Sequence, residues 1–121
     1  MDEKDLNEAI NQIEAFALKY TKIWEQMSGV RGAQDKACFM VSAEEITKDF
    51  HELLEVKKEF DGDDSVAIAL GLAADALFKY SGQACLATGK KDGLTAIGIV
   101  DDDVAELGRL HLAAEKVQEN K

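Results

Sequence analysis

Between Ser65 and Gly89 the chain reads SVAIALGLAADALFKYSGQACLATG, its most apolar run. Nearly every third or fourth position is Ala, Gly, Ser or a large aliphatic residue. The run holds only two charges, Asp75 and Lys79, one helical turn apart. A helix that is hydrophobic around most of its circumference must be covered by other elements. The spacing therefore predicts an all-α fold, a four-helix up-down bundle whose third helix is central and rich in small residues. Ala67, Gly71, Ala74, Ser81 and Ala84 would let its neighbours approach closely. Gly71 costs about 1 kcal/mol of helix propensity relative to Ala, which close packing would offset.

Working outward, Asp61-Gly62-Asp63-Asp64 is the firmest turn, with Gly62 free to take positive φ and Asp64 or Ser65 placed to cap the central helix. Before it, residues 34–60 carry Phe39, Ala43, Ile46, Phe50, Leu53 and Phe60 at four-three spacing, with Leu54 and Val56 beside them. Ser42-Ala-Glu-Glu45 reads as a capping box within that run. Either one helix spans 34–60, or a short one ends near Val41 and a longer one starts at Ala43. The continuous helix is the preferred expectation. Residues 4–28 give the clearest stripe, Leu6, Ile10, Ile13, Ala17, Tyr20, Trp24 and Met27, widened by Phe16 and Ile23. Gly29 or Gly32 would end that helix in a left-handed conformation. After the central helix, Asp101-Asp102-Asp103 precedes Val104, Leu107, Leu110, Ala114 and Val117 in an amphipathic pattern. Leu94 to Val100 also suits a strand, but a lone strand needs a partner. A helix over 94–118 is expected.

The 121 residues are 46% apolar and 31% charged, without Pro, and their length suits a single domain, 1–121. The net charge of −10 repels phosphate backbones and anionic lipid, so neither membrane nor direct nucleic-acid binding is expected. No apolar run reaches the ~18–20 residues that cross a bilayer. Met1 to Asp5 is acidic, unlike a signal peptide, and the cytoplasm is the expected compartment. Cys38 and Cys85 lie in apolar helical stretches and are expected to be buried thiols. They form neither a CxxC nor a Cys/His zinc pattern.

Two sets of residues have metal-ligand spacing. His51 and Glu55, and likewise His111 and Glu115, stand one turn apart and would make a carboxylate-histidine site if the pairs met inside the bundle. Glu44, Glu45 and Glu52 with Asp75 form an acidic set that could hold Mg²⁺. This second set resembles, in part, the all-α NTP pyrophosphatases of the MazG type, which carry Glu-Glu-x-x-Glu on one helix and Glu-x-x-Asp on the next. Glu44-Glu45 and Asp75 match. Asp49 falls one position late, and Leu72 stands where the second Glu belongs. The resemblance implies an Mg²⁺-dependent nucleotide hydrolase as the enzymatic alternative. Asp75 can equally pair with Lys79, leaving the other acids solvated. The Asp61–Asp64 turn opens like a calcium loop but lacks the distal Glu of an EF-hand.

No assembled reaction centre is legible, so a non-enzymatic bundle acting through protein contacts, most simply as a homodimer, is the expected reading, with no cofactor. Phe16, Tyr20 and Trp24, with Phe39 and Phe50, are the expected interface anchors, because they exceed what a thin bundle needs. An acidic decoy for a DNA-binding protein is a further alternative; it requires carboxylates in two rows along an elongated surface.

Overall fold

The computed structural model describes residues 3–99 and 101–119. Among them the chain is all-α: α1 (Glu3–Ser28), α2 (Ala33–Ala37), α3 (Ala43–Glu59), α4 (Asp64–Thr88), α5 (Gly93–Ile97) and α6 (Asp101–Glu119). No helix among the described residues is long and apolar enough to cross a membrane.

The stripe of α1 does what its spacing requires. Ala9, Ile13, Phe16, Tyr20 and Met27 are buried, and Leu6, Ile10, Ala17, Ile23 and Trp24 pack beside them. Its end differs from expectation. Neither Gly29 nor Gly32 takes positive φ; the Gly29 amide instead donates back to the carbonyls of Glu25 and Gln26, at 3.1 and 3.2 Å.

The continuous helix expected over 34–60 is divided into α2 and α3. Ser42 is extended (φ −67°, ψ 155°), and its Oγ accepts the Glu45 amide at 3.1 Å. A side-chain cap of this kind contributes about 1 kcal/mol. Here it starts a new helix, because the chain has to turn between α2 and α3. The Glu45 carboxylate goes to Lys19 Nζ at 2.8 Å. The five-residue α2 is held by a buried lysine: Lys36 Nζ donates to the Met27 carbonyl (2.8 Å) and to Gln83 Oε1 (3.0 Å), clasping the end of α1 to α4. In the loop that follows, the Val41 amide donates to the Tyr80 hydroxyl at 3.2 Å.

α4 touches every other helix. It is capped by Asp63, not Asp64 or Ser65: Asp63 Oδ1 accepts the Val66 amide at 3.0 Å, after Gly62 has made the turn at φ +90°. Against α1 it seats Tyr80, whose ring centroid is 5.4 Å from that of Tyr20. Against α6 it uses Gly71, where a Cβ would lie only 2.2 Å from Ala114 Cβ. The small residue thus sets how near the two backbones come.

The helix expected over 94–118 also breaks. α5 stops at Gly98, which sits at φ +90° with the Ile99 amide bonded to the Leu94 carbonyl at 2.9 Å. A left-handed residue at this position closes a helix. A Cβ at Gly98 would also stand 2.6 Å from Ala43 Cβ, so the break is pressed onto the start of α3. Val100 lies outside the described residues, as do the side chains of Asp101, Asp102 and Val104. Beyond the break Asp103, Leu107, Leu110 and Ala114 are buried on one face of α6.

Candidate interaction surface

The residues with chemical potential are mostly engaged with one another across helices. Lys19 on α1 reaches two acids of α3, Glu45 at 2.8 Å and Asp49 at 2.7 Å. Asp49 also accepts the Tyr20 hydroxyl at 2.8 Å. Burial pulls the Lys19 amine down, but the hydrogen bonds and charges of Asp49 and Glu45 outweigh it, leaving the amine above its ordinary value. Burial first, and then Asp49, push the Tyr20 phenol well above the ordinary tyrosine range. Tyr80 is raised mainly by burial, although the Val41 amide donating to its oxygen works against this. The arrangement is a closed ion-pair and hydrogen-bond network tying α1 to α3. A divalent cation entering between Glu45 and Asp49 would have to displace Lys19.

The two expected metal sets are not brought together. Glu44 and Glu52 are exposed on α3, while Asp75 is exposed on α4 and paired with Lys79 at 3.2 Å. His51 bonds Asp103 Oδ2 at 3.0 Å instead of Glu55, and His111 bonds Glu115 at 3.0 Å. Among the described residues no three His, Cys, Asp or Glu side chains gather closely enough to hold a metal ion. Asp103, buried at the start of α6, was hidden in a run of three acids that read as a solvated helix start. Neither cysteine is buried as expected. Cys38 falls in the exposed break after α2, and Cys85 is half-buried near the end of α4.

Among the described residues the larger concave spaces, of about 510 and 430 Å³, are open and lined mostly by charged side chains of α3, among them Glu55, Lys58 and Glu59; the most apolar one is smaller. A cleft of about 270 Å³ between the α3–α4 turn and the end of α6 is floored by Phe60, Val66, Leu70 and Leu110, with Lys57 and Lys116 at its rim. That lies just under the ~300–1,000 Å³ of ordinary small-molecule sites.

The exposed side of α4 is the more unusual surface. The helix expected to be jacketed leaves one stripe open: Leu72 and Leu86 are 59% and 61% exposed, with Asp75, Lys79 and Gly82 between them on the same stripe. α1 borders it through Trp24, whose ring lies 5.3 Å from Lys79 Nζ. α6 borders it through His111, edge-on to the partly exposed Phe78 at 5.9 Å. Leu112 of α6 is exposed as well. Compared with known protein families, curated proteins and solved structures, the chain matches none. Any function must therefore be argued from these residues.

The residues expected as interface anchors lie elsewhere. Phe16, Tyr20 and Phe50 are buried in the chain's own core, and Phe39 is half-buried against it. They are large enough to fill the space between α1, α3 and α4, so they are spent inside. Trp24 alone borders the open stripe. Nothing in the sequence separates Leu72 and Leu86 from their buried neighbours, which are equally apolar. Asp75, Lys79 and Gly82, at spacings of four and three, were the marks of a wet face.

Proposed function

We propose that this is a non-enzymatic protein that works through protein contacts made by the open stripe of α4, in the manner of a small adaptor, regulator or inhibitor. The observation that carries the reading is the placement of Leu72, Phe78 and Leu86, uncovered on the most apolar helix of the chain. Single exposed apolar side chains are ordinary; these three lie on or beside one stripe of α4, with Trp24 of α1 at its border, so one partner laid along the helix would cover them together. The engaged state of Lys19, Glu45 and Asp49 supports it from the other side, since the acids most suited to hold Mg²⁺ already have a cation. A cytoplasmic setting and a homodimer belong to the same reading. So does an up-down course for α1, α3, α4 and α6, supported by the pairing of Lys19 with Asp49, His51 with Asp103, and Gly71 with Ala114.

The test is the double variant Leu72→Asp/Leu86→Asp. Both side chains are exposed, so the helical circular dichroism and the thermal midpoint should stay close to wild type. Association, whether with itself or with another protein, should be lost in sedimentation and co-purification. A wild-type protein that associates with nothing, or a double variant that associates unchanged, would refute the reading.

A further inference from the structure

We infer that the occupant of the α4 stripe is α4 of a second copy, lying antiparallel to the first about a two-fold axis that passes between Asp75 and Lys79. This rests on reading that stripe as a protein contact, and it names the partner. The stripe runs Ile68, Leu72, Asp75, Lys79, Gly82, Leu86, alternating four and three, the spacing of a helix–helix seam. Turned end for end against itself, it is self-complementary. Asp75 meets the partner's Lys79 and Lys79 meets the partner's Asp75. Leu72 lies over the partner's Gly82, a knob facing a socket, and Ile68 meets the partner's Leu86. Each of these contacts occurs twice, as a two-fold interface requires.

Other arrangements fail on charge or on shape. A parallel pair would set Asp75 against Asp75 and Lys79 against Lys79. It would also leave an empty layer at Gly82 against Gly82. Sliding the antiparallel pair by a heptad in either direction places Asp75 on the partner's Leu86 or on its Leu72, a charge against an aliphatic side chain.

Gly82 supplies a separate argument. Glycine inside a helix is the least favourable residue after proline, and Gly71 has its reason within the chain, the contact with Ala114. Gly82 has none, since a Cβ there would meet nothing within 4 Å. Gly108 of α6 is open in the same way; what sets Gly82 apart is its place on the stripe that carries Leu72 and Leu86, where the proposed partner's Leu72 would sit over it. Asp75 and Lys79 are already 3.2 Å apart within one chain. In the pair the four charges alternate in sign around the axis, a network and not an isolated surface pair.

The experiment measures self-association by sedimentation equilibrium in Asp75→Lys, Lys79→Asp and the double reversal, with circular dichroism to check folding. Each single reversal creates two like-charge contacts and should weaken the dimer about tenfold or more; the double reversal should recover it to within about threefold. Gly82→Leu, which fills the socket in space that is open in the monomer, should abolish the dimer while leaving the fold intact. With Cys38 and Cys85 changed to Ser, Leu72→Cys/Gly82→Cys should form an interchain disulfide. Leu72→Cys alone should not, since the two copies of position 72 stand about 15 Å apart along the helix axis. A dimer that cross-links through Leu72→Cys alone, or in which the double reversal gives no recovery, overturns this register. It leaves the protein-contact reading standing. A wild-type chain that stays monomeric at 100-µM-order concentration overturns self-pairing. If that monomer still bound another protein through Leu72 and Leu86, the broader reading would survive; if it bound none, both would fall.

Discussion

Tyr20 shows how much one residue carries in this fold. Its ring is packed between Phe16 and Tyr80, with centroids at 4.7 and 5.4 Å, and its hydroxyl donates to Asp49. Both the burial and the bond favour the protonated phenol, so its folded pKa lies above the unfolded one. A group shifted in that direction contributes stability that is complete below the unfolded value, near pH 10, and is lost as pH rises from there toward the folded value. Lys19 and Tyr80, both raised, add to the same trend. Stability measured by urea midpoints should therefore be level near neutral pH and fall above about pH 10. Tyr20→Phe should cost roughly 1.5–3 kcal/mol at pH 7, the range for a hydrogen bond to a charged group, and should flatten the alkaline decline. An unchanged alkaline slope in that variant would show that Tyr20 does not carry this pH dependence.

Among the elements, the close crossing of α4 and α6 is the most exacting. At Gly71 there is no space for a methyl group against Ala114. Gly71→Ala should destabilise by about 1–3 kcal/mol through overpacking, despite its better helix propensity. Adding Ala114→Gly should recover part of the loss, because the displaced methyl is then accommodated from the other side. Equal thermal midpoints for the single and double variants would argue that the helices simply slide apart. Gly71 was legible beforehand as a point of close approach, and so was the whole of α1, because a single stripe maps onto a single buried face. The two breaks were harder. Apolar spacing runs on from Phe39 through Ala43 to Ile46 without a fault, so periodicity alone favours one helix. The break is decided locally, by the Ser42 hydroxyl and by where Lys36 pins α2. At Gly98 the decision comes from packing on Ala43, a contact between segments far apart in sequence. The open stripe of α4 was not legible: the run was expected to be covered around most of its circumference despite the Asp75–Lys79 pair, and bulk pointed to aromatics that the core needed.

For the molecule as a whole, the net charge of −10 governs how copies meet. Two such chains repel over a Debye length that shrinks from about 30 Å at 0.01 M salt to about 10 Å at 0.1 M. The Asp75–Lys79 contacts proposed at the axis are short-range and lose less to screening. The dimer should therefore tighten as salt is raised from 0.01 to 0.1 M. A self-association that weakened over this range would show that the ion pairs, and not the net charge, set its salt dependence, and sedimentation at several salt concentrations reads the sign directly.

The seating of Tyr20 on Tyr80 also bears on how the chain is made. α1 leaves the ribosome well before the helix it must rest against, whereas α4, α5 and α6 are joined by short connections and can close on one another locally. Until Tyr80 emerges, Ile13, Phe16, Tyr20 and Met27 have no α4 to cover them. During synthesis they form a greasy ribbon of the kind that chaperones bind and that drives aggregation when translation stalls.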